Sequence, residues 1–253
     1  MTHDRPPPPR IPAPGTLNDE EEEALPPCNL TDITTDSIER VIGIRPINID
    51  LYVRAFTHPS SGRTPDYEVL EFLGDAVLGM IIAKYLFDSH PDEDEGFLTI
   101  MRTKITRSEM LYTYALAVGL QQFVYMSGKS IYRGYHQSKK VLEDVFESVI
   151  GALYLDHGLM VAKQFILKTV EKHTDWEDLK RNRNYKDILM RYQHKIQQAL
   201  PTYISTKDED ARTFHVTIDL NGHIAHGTDR TKKKAEQRAA KHMLQLMGVD
   251  VDD

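Results

Sequence analysis

Two segments of this chain carry carboxylates where a helix should be wholly apolar. The first is YEVLEFLGDAVLGMIIA, residues 67–83. Apart from the phenol of Tyr67, its ionisable groups are Glu68, Glu71 and Asp75, spaced i, i+3 and i+7. That spacing places all three on one helix face. The second is LEDVFESVIGALYL, residues 142–155, where Asp144 and Glu147 share a face and Glu143 is rotated off it. A helix apolar nearly all round belongs in a core. Like charges on one stripe of it repel, and burial raises the cost of each. Neither segment holds a basic residue before Lys84 to neutralise them. A hard divalent cation bound by carboxylate oxygens would supply the counter-charge, and Mg²⁺ fits best, with Mn²⁺ as the alternative. Such a centre suits metal-assisted hydrolysis of a phosphodiester. A di-iron bundle would want Glu-x-x-His twice, and no histidine stands at those offsets.

The elements that must position these groups are helical. Apolar periodicity predicts helices over about 67–85, 98–118, 139–155 and 159–173. Thr64-Pro65 reads as a helix cap with Pro at the first helical position. The polar stretches SSGRTP (60–65), HPDEDEG (90–96) and SGKSIYRGYHQSKK (127–140) read as turns. Residues 1–34 form a Pro-rich, acidic tail expected to be disordered; residues 1–30 carry eight of the thirteen prolines. Residues 35–175 form the helical domain, and 176–183 read as a linker.

Beyond the linker the pattern changes. Tyr185–Leu200 reads as a helix. Thr202–Thr206, Thr213–Leu220 and His223–Gly227 read as strands, with Asn221-Gly222 as a hairpin turn. Thr231–Met247 reads as a helix with Ala235, Ala239, Met243 and Leu246 inward. The second domain, 184–248, is therefore α-β-β-β-α, and 249–253 form a short acidic tail. The fold class is mainly α: an all-helical domain followed by an α+β domain.

Charge divides along the same boundary. The chain carries −7 overall, yet residues 182–247 hold 12 Lys/Arg against 7 Asp/Glu. A basic C-terminal block on an acidic protein points to a polyanion there. One cysteine, Cys28, rules out a disulfide framework and a thiolate zinc site. The N-terminus has no apolar leader region and no apolar run is long enough to span a bilayer. An intracellular protein, cytoplasmic or nuclear and not secreted, is expected.

These segments resemble the ribonuclease III family. YEVLEFLGDAVL (67–78) is similar to the family signature ERLEFLGDAVL, and EDVFESVIGALYLDHG (143–158) to its second acidic motif. AFTHPS (55–60) resembles the stretch before the signature. The resemblance spans residues 40–173 or so and implies a helical nuclease. It implies metal binding by Glu71, Asp75, Asp144 and Glu147, with Asp75 and Glu147 most directly catalytic. Glu68 and Lys140 would be accessory, and Phe72 would plug a partner subunit in a homodimer. His58 reads as structural. Val69 and Asp66 depart from the family's usual Arg and Asn without removing a ligand.

Residues 184–244 resemble a double-stranded-RNA-binding domain. Lys232, Lys233 and Lys234 would sit at a helix N-terminus, where ammonium groups and the helix dipole together suit phosphates. Lys186 and Arg191 on the first helix would add RNA contacts. The loop KDEDAR (207–212) is acidic in place of the usual Gly-Pro-x-His, so it is expected to contribute little. The function implied is metal-dependent hydrolysis of double-stranded RNA by a homodimer, leaving a 5′-phosphate and short 3′ overhangs. It would serve RNA processing or the degradation of small duplexes that suppresses silencing. The alternative is a non-catalytic RNA-binding or ribosome-associated relative, which would have lost the carboxylates; all five are present here.

Overall fold

The computed structural model describes residues 12, 15–176, 179 and 184–249. The chain divides into two compact units, with the boundary between Asp175 and Trp176. The expected linker falls almost wholly outside the described residues, as do 1–11, 13–14 and 250–253 of the two expected tails.

The first unit is helical: α1 (Asp19–Glu23), α2 (Thr35–Ile42), α3 (Ile49–Ala55), α4 (Glu68–Ser89), α5 (Glu95–Thr106), α6 (Ser108–Val118), α7 (Gly128–Tyr132), α8 (Lys139–His157) and α9 (Leu159–His173). Helix α8 is the axis of this unit. Val141, Leu142, Val145, Phe146, Val149, Ile150, Ala152 and Leu153 are all buried, which is why its sequence is apolar nearly all round apart from the acidic face. The Phe146 ring lies between Tyr114 of α6 and Phe165 of α9, with centroids 5.7 and 6.0 Å away. Helices α4 and α8 cross at glycines: Gly74 faces the backbone of Glu147 and Gly151 faces the backbone of Leu70. No side chain separates the two helices there, so groups on neighbouring turns are forced close together.

Several expectations need correction. The span 98–118 is two helices, broken at Arg107, whose ψ of 153° is extended. The break lets Ser108 turn its hydroxyl onto Glu143 of α8, 2.5 Å away. Pro65 is not the first helical residue: α4 starts at Glu68 behind Tyr67, and the Thr64-Pro65 bond is cis. The stretch 127–140 is no simple turn, because α7 and a 3-10 turn at Tyr135–Gln137 bury Ile131, Tyr132 and His136.

Residues 15–34 are folded onto the first unit rather than disordered. Asn18 and Glu21 form a capping box for α1. The Tyr132 hydroxyl accepts from the backbone N–H groups of Thr16 and Leu17, and Arg133 pairs with Glu22 at 2.7 Å. Cys28 and Met126 exchange backbone hydrogen bonds of 3.0 and 3.1 Å. The acidic run, which the sequence places in a disordered tail, meets a basic counterpart, Lys129 and Arg133, more than 100 residues along the chain.

The second unit comprises α10 (Tyr185–Lys195), β1 (Thr202–Asp208), β2 (Thr213–Leu220), β3 (His223–Asp229) and α11 (Lys232–Leu246). The sheet is antiparallel in the order β1-β2-β3, with Leu220 opposite His223. Asn221 and Gly222 have φ of 53° and 80°, as a two-residue hairpin turn of the primed type requires. Val216, Ile218 and Ala225 pack with Leu189 of α10 and with Ala235, Ala239, Ala240, Met243 and Leu244 of α11. Leu246, expected inward, is 42% exposed as the last residue of α11, while Met243 and Leu244 of the same turn are buried. Among the described residues, no helix is long and apolar enough to cross a membrane.

Candidate active site

Helices α4 and α8 bring three carboxylates together. One oxygen each from Glu71, Asp144 and Glu147 lie within 4.8 Å of one another. Asp144 is buried, and both of its oxygens are engaged. Lys140 donates to Oδ1 at 2.5 Å, and the Tyr67 phenol donates to Oδ2 at 3.2 Å. The Lys140 ammonium also stands 3.8 Å from Glu71.

The electrostatics follow from crowding. Burial pushes the Glu147 carboxyl up to about 8, and Asp75 and Glu71 add to this by like-charge repulsion. Burial and the neighbouring Asp144 also raise Glu71, against the opposing pull of Lys140. Burial is the main cause of the raised Tyr67 phenol, with Asp144 next. The Asp144 contact raises the Lys140 ammonium. A site that strains to stay anionic and offers only carboxylate oxygens is matched to a hard divalent cation.

The remaining acidic residues sit around this core. Asp75 is exposed and is the strongest charge acting on Glu147. Glu68 is exposed one turn before Glu71 and outside the close group. Glu143 points off the face toward Ser108, as its spacing predicted. His58 does not enter the group: its Nδ1 accepts from the Ser60 N–H at 3.0 Å, and its ring stands edge-on to Tyr67. Burial lowers its pKa.

Two important residues escaped sequence reading. Tyr67 was visible only as a phenol in an apolar segment, and its partner lies 77 residues away. Asp156 accepts from the N–H groups of Ile47 and Asn48, each at 2.9 Å, and from the Tyr52 hydroxyl at 3.1 Å. It thereby locks the entry to α3 onto the end of α8. Its place in the YLDHG run was the available signal.

On α4, Val69, Phe72 and Met80 form an apolar face, with Phe72 81% exposed. In the second unit, Lys232, Lys233 and Lys234 are exposed in the first turn of α11, and the Thr231 hydroxyl caps it by accepting from Lys234 N–H. Lys186 and Arg191 differ. Lys186 pairs with Glu236 at 2.6 Å and lies over the Tyr203 ring, and Arg191 pairs with Asp187 at 3.0 Å.

Comparison with known proteins agrees with both units. A family model described as Ribonuclease-III-like matches residues 48–173, and one described as Double-stranded RNA binding motif matches 185–247. Ribonuclease 3 of Legionella pneumophila (strain Corby) is 39% identical over 210 residues, covering 79% of this chain and 92% of that protein. Putative protein A464R of Paramecium bursaria Chlorella virus 1 is 40% identical over 221 residues, covering 85% of this chain and 80% of that protein. The nuclease domain of ribonuclease III from Campylobacter jejuni superposes with a TM-score of 0.53 at 30% identity, covering 55% of this chain and 98% of that one. Its nuclease and RNA-binding units together make the chain a member of the ribonuclease III family, an endoribonuclease acting on double-stranded RNA.

Proposed function

We propose that Glu71, Asp144 and Glu147, with Asp75 beside them, form the catalytic centre by holding Mg²⁺ or Mn²⁺ at the crossing of α4 and α8. The observation that carries this is the convergence of three carboxylates within 4.8 Å, two of them beside Lys140. A bound divalent cation would supply an activated water and would stabilise charge on phosphate oxygens. Asp144 and Glu71 present oxygens fixed by the crossing of the two helices. Glu147, whose carboxyl is raised well above the usual range by burial and its acidic neighbours, and exposed Asp75 complete the acidic group. Glu68 extends the acidic edge, and Lys140 restrains Asp144 and Glu71.

The lysines at the start of α11 contact phosphates of an A-form duplex, recognised by shape. The exposed face of α4 around Phe72 joins two copies of the chain, so that two centres cut opposite strands. This leaves 5′-phosphates and short 3′ overhangs. The Campylobacter jejuni nuclease domain has a region involved in dimer formation. An intracellular setting accords with the free thiol of Cys28.

The test is a Glu147→Gln variant given a labelled long duplex and Mg²⁺, beside a single-stranded control and an EDTA control. Cleavage of the duplex should fall by at least about 100-fold while duplex binding stays near wild type. Cleavage at the wild-type rate would remove Glu147 from the centre.

A further inference from the structure

The AFTHPS segment (55–60) plays no direct part in the centre described above, yet it is pinned at both ends. The Ser148 hydroxyl of α8 donates to the Ala55 carbonyl at 2.7 Å. The His58 N–H donates to the Tyr125 carbonyl, and the Tyr125 N–H to the Phe56 carbonyl, each at 2.8 Å. His58 is further fixed by the Ser60 N–H on its Nδ1. This segment makes two contacts with Tyr67. The Thr57 carbonyl accepts the Tyr67 N–H at 3.0 Å, and the His58 ring meets the Tyr67 ring edge-on at 5.5 Å.

Tyr67 in turn touches ligands from both helices. Its carbonyl accepts the Glu71 N–H at 2.9 Å, and its buried phenol donates to Asp144 Oδ2. An aspartate side chain has a broad terminal torsion that packing alone leaves loose. The phenol settles it, leaving Oδ1 on the side where Lys140 and Glu71 lie.

We propose that Tyr67 is a positioning residue: its phenol sets the Asp144 carboxylate, with His58 as the brace that holds its ring. The inference rests on the metal-binding reading of the centre. Groups that orient a ligand from behind raise affinity by about 10- to 100-fold.

The experiment uses the full metal-free chain, with Mn²⁺ binding followed by electron paramagnetic resonance and unfolding followed by melting. Tyr67→Phe keeps the ring and removes the hydroxyl. The expected result is about tenfold weaker Mn²⁺ binding, a metal-free melting temperature within about 4 °C of wild type, and kcat recovered at saturating metal. His58→Ala, which leaves the phenol but removes its brace, should shift affinity the same way by a smaller factor. Unchanged Mn²⁺ affinity in Tyr67→Phe overturns the inference. So does an affinity loss accompanied by a larger drop in melting temperature, which would mark a purely structural role. Failure of the wild-type chain to bind Mn²⁺ at all sinks the metal reading itself and is seen before any variant is compared.

Discussion

Gly74 of α4 lies against the main chain of Glu147 in α8, so closely that a methyl group on its α-carbon would overlap the Glu147 carbonyl oxygen. The obstruction is backbone, and no rotamer change can relieve it. Gly74→Ala should therefore push the helices apart and cost about 3 kcal/mol. Urea unfolding would read the loss. Mn²⁺ binding should weaken with it, because the spacing of Glu71 and Glu147 depends on the same crossing.

Glu147 gives the metal-free protein a defined pH dependence. Its folded pKa of about 8 lies above the ordinary value of 4.5, and Glu71 is raised in the same direction. The folded state then keeps protons that the unfolded state releases. Stability from this source is fully present below about pH 4.5, is lost as pH rises, and levels off above about pH 8. Urea midpoints at pH 5, 7 and 9 without metal should fall in that order. Glu147→Gln should remove most of the slope, and added Mg²⁺ should restore stability at the alkaline end.

Lys140 is the cation that bridges Asp144 and Glu71. Lys140→Met leaves the buried carboxylates without it. The metal-free variant should be less stable by about 1 kcal/mol at neutral pH, since the ammonium itself is largely exposed and screened. Divalent metal should raise its melting temperature more than it raises that of wild type. Equal increments in the two proteins would show that Lys140 does not stand in for the cation.

The lysines of the second unit should separate into two kinds. Lys232→Gln and Lys233→Gln should each weaken duplex binding and lower the slope of log affinity against log salt by about 1. Lys186→Gln should barely move that slope, because its ammonium is committed to Glu236 and the Tyr203 ring. Filter binding of a duplex of about 20 base pairs across a salt series measures all three.

Arg133 holds the N-terminal segment through Glu22 and Asp19, and Glu22 is itself buried. Arg133→Ala should release residues 15–31 while the nuclease core stays folded. Hydrogen exchange should show lost protection at Leu17 and Cys28, with α8 unchanged. Retained protection at both positions would mean that the Tyr132 hydroxyl and the Met126 pairing suffice to hold the segment.

The sequence by itself determined α4, α8 and α9, the strands of the second unit and the acidic faces, because these depend on periodicity within one element; it did not show α1, α7 or the break at Arg107. Glu71 with Asp75, and Asp144 with Glu147, each share a face through local spacing alone. Lys232 to Lys234 are legible for the same reason, as a charge run at a helix start. Only the tertiary structure decided which carboxylates meet. Glu71, Asp144 and Glu147 converge because Gly74 and Gly151 let two backbones touch, whereas Asp75 and Glu68 stay toward solvent. The phenol of Tyr67 on Asp144, the commitment of Lys186 to Glu236 and the docking of α1 on Arg133 each join residues 50 or more positions apart. No spacing rule reaches that far, since such contacts are fixed by how helices pack rather than by the period of any one of them.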